Sequence, residues 1–359
     1  MPTKPPPSVP ERIPLATQTA SCLLEAIRRG HWQGQLPGER DLARQFNVGR
    51  DTLRLALREL ERSGFLEVTQ RSRRRIILNP AAEIRSAETV LGVLSPAPVT
   101  LLNPLSAAIL DQIRAYLEKT GGSLEFHSNP SAFSKRPNRS LSDLVSMSRA
   151  TAWVVFGSKE PMQSWFISRR LPCLILGSCS HPKILPSIDQ DYRATGRHAA
   201  ALLLRKRHRR IALVITGTEF GGELECEKGI HETIATQPGI SLRVLRYNGE
   251  PDQLRERLAR TLRVHEAPTA YAVIGTKAAI AVLTHLLSLG VHVPRDVALL
   301  CCDDDPTLAF CNPRVTRYTL STAKFIRETL AQLRRLLLKR HTPPRTIRLM
   351  PDLVPGETV

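Results

Sequence analysis

Arg50, Arg54 and Arg58 recur every fourth residue, a spacing that puts three guanidinium groups in a row along one face of a helix. Guanidinium forks pair with phosphate oxygens and, bidentately, with the major-groove edge of guanine, so such a row is suited to reading double-stranded DNA. The same stretch carries Leu53, Ala56, Leu57 and Leu60 at i, i+3, i+4 and i+7, an apolar stripe on a different face. One side buries and another offers arginine. Arg40 lies just upstream, and Thr52 stands in the first turn with Arg50. Downstream, Gln70-Arg71-Ser72-Arg73-Arg74-Arg75 is a basic tip between short extended runs, the pattern of a β-hairpin. Its arginines can meet phosphates or enter a narrow groove.

Stepping outward, residues 36–66, LPGERDLARQFNVGRDTLRLALRELERSGFL, place these side chains on two short helices joined by a tight turn. Through Leu36, Pro37, Glu39, Arg40, Leu42, Ala43, Phe46, Val48, Arg50, Thr52, Arg54, Ala56, Leu57, Leu60, Gly64 and Leu66 the segment resembles the winged helix-turn-helix of GntR-type transcription regulators. The likeness covers roughly residues 12–78, with a first helix over Thr17 to Arg29. It implies operator contacts from Arg40, Arg50, Thr52 and Arg54, and from Gln70, Arg71, Arg73 and Arg74 on the wing, with a homodimer on a two-fold site. Three features depart from the pattern: Gly38 and Gly49 replace serine N-caps, and arginines replace a glycine-rich wing tip. Glycine caps almost as well as serine, within a few tenths of a kcal/mol. Asp51 is expected to act as a helix-start carboxylate.

The chain has 359 residues, 42% of them hydrophobic, enough for two or three domains with real cores. Its formal charge of +18 favours polyanionic partners. Residues 1–80 hold 14 Lys+Arg against 8 Asp+Glu, so most of the excess lies beyond the basic head and is weak support for DNA binding by itself. Seven cysteines without regular spacing argue against a disulfide framework, and Cys301 and Cys302 read as small buried residues. Neither cysteines nor the ten histidines show ligand spacing, so no metal is expected, nor any cofactor. The start, MPTKPPPSVPERIP, lacks a signal-peptide apolar core and reads as a Pro-rich arm over residues 1–11. No apolar run reaches the ~20 residues of a membrane span, so a cytoplasmic protein is expected.

Residues 79–88 read as a polar linker between the head, 12–78, and a second domain, 89–359. From there, apolar runs alternate with helical stretches such as 104–119: 91–95, 123–127, 152–157, 173–177, 211–216, 241–247, 271–275 and 297–302. Apolar strands with helical crossovers predict an α/β fold of parallel sheets covered on both sides, in two lobes with a ligand cleft between them. Gly221-Gly222 reads as a loop, without the strand and helix context of a phosphate cradle.

HRRIALV (208–214), GVHVPRDVALLCCDDDP (290–306) and PDLVPGET (351–358) resemble, in order and spacing, segments of the effector domain of LacI-type regulators, relatives of periplasmic sugar-binding proteins. SIDQDYRATGRHAA (187–200) fits that family's lobe crossover followed by a helix. The likeness implies that Asp303 accepts from ligand hydroxyls at a strand end, with Asp304 and Asp305 as turn residues. It also places Cys226 and Thr276 at positions where the family has ligand residues. Cys226-Glu227-Lys228-Gly229 stands for an Arg-x-x-Gly, and Gly275-Thr276 for an Asn-Asp pair. Asn103 reads as a helix N-cap at the cleft mouth. The expectation is a non-enzymatic, DNA-binding transcription regulator, a repressor, modulated by a small molecule in the interlobe cleft, a carbohydrate or another compound. The alternative is an architectural DNA-binding protein whose second domain no longer senses a ligand.

Overall fold

The computed structural model of the protein describes residues 14–28, 31–32, 34–62, 65–68, 75–77, 89–217, 220–303, 305–338 and 344–359. The chain forms two compact units, Met1–Ala87 with Leu330–Lys339 and Glu88–Thr329 with Arg340–Val359. The Pro-rich arm, the whole polar linker and the wing residues Gln70, Arg71, Arg73 and Arg74 lie outside the described residues, as does Asp304.

In the first unit three helices, α1 (Leu15–Arg28), α2 (Glu39–Gln45) and α3 (Arg50–Arg62), precede a hairpin of β1 (Leu66–Val68) and β2 (Arg75–Ile77). The apolar stripe read from the sequence is the inner face of α3: Leu53, Ala56 and Leu57 are fully buried and Leu60 nearly so. They pack on Leu23 of α1 and on Leu42 and Ala43 of α2. Between α2 and α3 the chain turns on Asn47, at φ 50°, a left-handed conformation that asparagine tolerates better than most residues. Val48 then donates to the Ala43 carbonyl at 3.0 Å, closing the turn. Gly38 caps α2 through its backbone alone. The Leu36 amide donates to the Arg75 carbonyl at 3.0 Å and ties the approach segment to the hairpin.

The second unit contains two six-stranded sheets. One is built from β3 (Val90–Ser95), β4 (Ser123–Ser128), β5 (Ala152–Phe156), β6 (Cys173–Leu176), β7 (Ser187–Gln190) and β13 (Thr346–Leu349), in the order β13-β7-β6-β5-β3-β4, all parallel. The other uses β8 (Arg210–Thr216), β9 (Ser241–Tyr247), β10 (Ala270–Val273), β11 (Ala298–Cys301), β12 (Thr316–Thr319) and β14 (Asp352–Val354), in the order β14-β12-β11-β10-β8-β9. Only β14 runs antiparallel to its neighbour there. Strands such as Val90–Ser95, Ala152–Phe156 and Ala298–Cys301 are buried on both faces, which is why they read as unbroken apolar runs.

All eight apolar runs named above form strands. Four further strands, β7, β12, β13 and β14, carry polar residues within short spans and gave no apolar run. The crossover segment 187–200 contains β7 and then α7 (Tyr192–Arg205), with α4 (Pro104–Thr120), α5 (Asn138–Met147) and α6 (Glu160–Ser168) preceding it. Gly221-Gly222, expected in a loop, instead open the helix α8 (Gly221–Ile234), which α9 (Pro251–Leu262) and α10 (Thr276–Ser288) follow. There, a Cβ on Gly221 would fall 2.6 Å from the Ser178 side chain, and one on Gly222 2.7 Å from the Tyr192 ring. Close packing, not a turn, accounts for both glycines.

The chain passes between the two sheets three times: after β7, between β12 and β13 through α11 (Thr322–Leu337), and between β13 and β14. The Asp191 amide donates to the Leu349 carbonyl at 2.9 Å, so two of these crossings are laced together. Buried Gln190 donates to the Cys302 carbonyl at 2.9 Å and fastens the end of β7 to the end of β11. No helix among the described residues is long and apolar enough to cross a membrane.

Candidate functional sites: an arginine face and an interlobe cleft

On α3, Arg50, Arg54 and Arg58 are exposed, as is Arg40 on α2, while Thr52 is half-buried in the first turn of α3. Burial of the leucine stripe fixes the rotation of α3 and so decides that these arginines point outward. They are not equivalent. Arg54 donates to Glu39 Oε2 at 2.9 Å and lies 3.7 Å from Asp51, whereas no carboxylate among the described residues pairs with Arg50 or Arg40. The Arg54 hydrogen bond holds the Glu39 carboxyl below the usual range, and Arg75 adds to it. Asp51 thus leans toward Arg54 rather than Arg50.

Arg75, the last residue of the basic tip, has a different task from the one its neighbours suggested. Its side chain is 17% exposed and bridges Glu39 of α2 and Glu61 of α3, pinning the wing to both helices. Arg75→Ala would leave two carboxylates without that partner. The expected result is a loss of roughly 1–3 kcal/mol, the range for charge-assisted bonds in partly buried sites, seen as a lower urea midpoint. An unchanged midpoint would show that the bridge contributes nothing.

The cleft of the second unit encloses about 910 Å³ where the carboxyl ends of both sheets face each other. Its acidic floor comes from three elements. Asp189, on β7, accepts from the Ser178 hydroxyl at 2.5 Å and from the Gln190 amide at 2.9 Å. Glu223, in the first turn of α8, accepts at Oε1 from the Thr216 amide at 2.8 Å and the Thr216 hydroxyl at 2.7 Å. Asp303, just beyond β11, accepts from the Tyr192 hydroxyl at 2.9 Å and from the Gly275 amide at 2.7 Å. Gly275 (φ 95°) precedes α10 (Thr276–Ser288), so Asp303 sits at a helix N-terminus.

Burial pushes the Asp189 carboxyl up to about 7, helped by the Asp303 charge and opposed by the Ser178 and Gln190 bonds. Burial also raises Glu223, again with Asp303 adding and the Thr216 bonds opposing. A carboxyl raised on folding makes the folded state bind more protons than the unfolded one. Stability therefore falls as pH rises from about 4 to about 7. Asp189→Asn stays neutral and should escape this loss. We expect its stability to gain on the parent's by on the order of 1–3 kcal/mol as pH rises from about 4 to about 7, read as a relative rise in melting temperature. A difference independent of pH would refute the burial account.

Of the residues expected at this site, Asp303 and Thr276 line the cleft, as does Asn103. Asn103 is also the N-cap of α4, its Oδ1 accepting from the Ser106 amide at 2.8 Å. Asp305 caps the short 3-10 turn Pro306–Phe310. Cys226 is a correction: it is fully buried in the apolar core beneath α8, beside Ala200 and Ile215, and is not among the cleft residues. Gly229, read as part of the same ligand pattern, serves helix packing instead, since its Cβ would lie 2.1 Å from the Arg193 carbonyl oxygen. Asp189, Tyr192 and Glu223 were missed. Asp189 and Tyr192 lay inside the crossover segment 187–200 and Glu223 directly after Gly221-Gly222, with no spacing that tied them to one another.

A winged helix with an outward arginine face, and a two-lobed parallel α/β domain with a cleft at its strand ends, define a class: a DNA-reading head joined to a ligand-binding-type domain. Residues 15–76 match the family of bacterial regulatory proteins, gntR family, and residues 200–359 match the periplasmic binding protein-like domain. The chain thus carries a GntR-family helix-turn-helix domain followed by a LacI-type domain. It is 35% identical over 117 residues to the HTH-type transcriptional repressor NanR of Klebsiella aerogenes, a match covering 30% of this chain and 43% of that repressor. The aligned part therefore spans less than half of that relative. The transcription regulator CcpA of Lactococcus lactis shares the fold at a TM-score of 0.65 and 18% identity, over 76% of this chain and 99% of that one. The transcriptional regulator CelR in complex with cellobiose matches at 0.64 and 20%, over 90% and 100%.

Proposed function

We propose that the protein is a transcription regulator of the repressor type, binding operator DNA through the helix-turn-helix and responding to a small molecule held between the lobes. The observation that carries this reading is the exposed Arg50 at the start of α3, without a carboxylate partner among the described residues, on the same chain as a cleft of about 910 Å³ at the strand ends of two sheets. That volume suits a ligand of sugar or drug size. Arg50, Thr52 and Arg40 would contact bases and phosphates, joined by Gln70, Arg71, Arg73 and Arg74 on the wing, with Arg54 shared between DNA and Glu39. A homodimer would present two such heads to a two-fold operator, in the cytoplasm, across the head, linker and two-lobed divisions read from the sequence.

A ligand that binds the closed lobes better than the open ones shifts the population between them, and by linkage the operator affinity. The cellobiose bound to CelR supports a carbohydrate-like ligand for this fold. No chemical step is assigned to the cleft, and the related proteins are regulators rather than enzymes. Footprinting of the full chain on genomic DNA tests the proposal. One palindromic protected site is expected, weakened by a cleft ligand found in a thermal-shift screen. Uniform coating without a preferred site would instead favour an architectural role.

A further inference from the structure

We infer that the cleft is built for a cationic ligand, a small polyhydroxyl compound or amine bearing a protonated amino group that seats among Asp189, Glu223 and Asp303. This deepens the regulator reading above and rests on it for the identity of the site. Three carboxylates from separate elements line one half-open cleft, which the exposed Lys277 also lines. The second observation is Glu223 itself. It is 7% exposed, its Oε1 is held by Thr216, and its Oε2 is buried with no hydrogen-bond partner. A buried carboxylate oxygen without a donor is costly, and an ammonium group supplies both the donor and the charge.

A neutral hexose would bring donors but no positive charge, leaving Arg348 and Arg246 as the cations acting on Asp189 and Glu223. A metal ion is not the occupant the geometry selects, because no group of three His, Cys, Asp or Glu among the described residues is placed to hold one. Around the acids stand Phe156 and Tyr247, whose faces can stack on a sugar ring or a cation, and Phe220, whose ring already carries the Lys159 ammonium 5.1 Å from its centre. The Thr276 hydroxyl remains for ligand oxygens, while that of Ser178, which donates to Asp189, is left to accept from a ligand hydroxyl.

The test uses the full chain at pH 7.5 and probes of defined charge. Glucosamine, galactosamine, mannosamine, putrescine and spermidine are compared with glucose, galactose, mannose and the N-acetylated hexosamines, by thermal shift and then calorimetry. At least one ammonium-bearing probe is expected to bind, at least tenfold more tightly than its neutral or acetylated counterpart. Glu223→Gln, which keeps the oxygen that Thr216 needs, should weaken that probe at least tenfold, and Asp303→Asn serves as the second variant. Two results overturn the inference: neutral sugars binding as tightly as their amines, or no ammonium-bearing probe binding at all. If a neutral sugar binds and releases the operator, the inference fails while the regulator reading stands. Loss of a specific footprint fails the regulator reading alone.

Discussion

Arg50→Ala should abolish specific operator binding while leaving the fold of the head intact. Arg50 is exposed at the first position of α3 and has no carboxylate partner among the described residues, so its removal disturbs no packing. Alanine there is a good helix former. A bidentate arginine contact in the major groove discriminates by about 1–3 kcal/mol, and a dimer would lose it twice, which is roughly a 30-fold to 10⁴-fold loss of affinity. Arg54→Ala would be less clean, because it also removes the group that Glu39 accepts from at 2.9 Å. Footprinting titrations, with circular dichroism as the check on folding, decide the matter. Full affinity in the Arg50→Ala protein would remove the reading face from α3.

The second large effect is expected far from DNA, where α7 crosses α8. At that crossing Gly196 and Gly229 face the opposite backbones: a Cβ on Gly196 would lie 2.2 Å from the Cys226 carbonyl oxygen, and one on Gly229 2.1 Å from that of Arg193. Backbone cannot rotate away as a side chain can, so even one methyl group must push the helices apart. Overpacking typically costs 1–3 kcal/mol, and a clash with backbone belongs at the upper end. Gly229→Ala should therefore lower the melting temperature by roughly 5–10 °C for a domain of this size. The ligand site should suffer as well, because α7 begins with Tyr192, which holds Asp303, and α8 carries Glu223 in its first turn. A melting temperature equal to the parent's would mean that the crossing is looser than its geometry.

Gly229 also shows where motif reading and structure part. In the sequence it belonged to a four-residue pattern tied to ligand binding, and its partner Cys226 was assigned to the cleft. Helical spacing explains the outcome: Cys226 and Gly229 are three residues apart and share one face of α8, the face turned toward α7 and the sheet. The part of α8 that lines the cleft is its first turn, Gly221, Gly222 and Glu223. Short polar strands were missed for a comparable reason. Thr316–Thr319 and Thr346–Leu349 alternate or expose polar residues, and four such residues carry too little periodicity to separate a strand from a loop.

Local sequence determined the head almost completely. The leucine spacing of α3, the turn at Asn47 and the outward arginines all lie within some thirty consecutive residues, where helical period alone decides which side is buried. The doubly buried strands were legible for the same reason, since burial on both faces requires continuous apolar residues. Only the tertiary structure decided that Arg54 answers to Glu39, that Arg75 pins the wing, and that Asp189, Glu223 and Asp303 share one cavity. Those acids sit on segments far apart in the chain, and what brings them together is the convergence of strand ends from two sheets. Periodicity records which way a residue faces, but not what it will meet there.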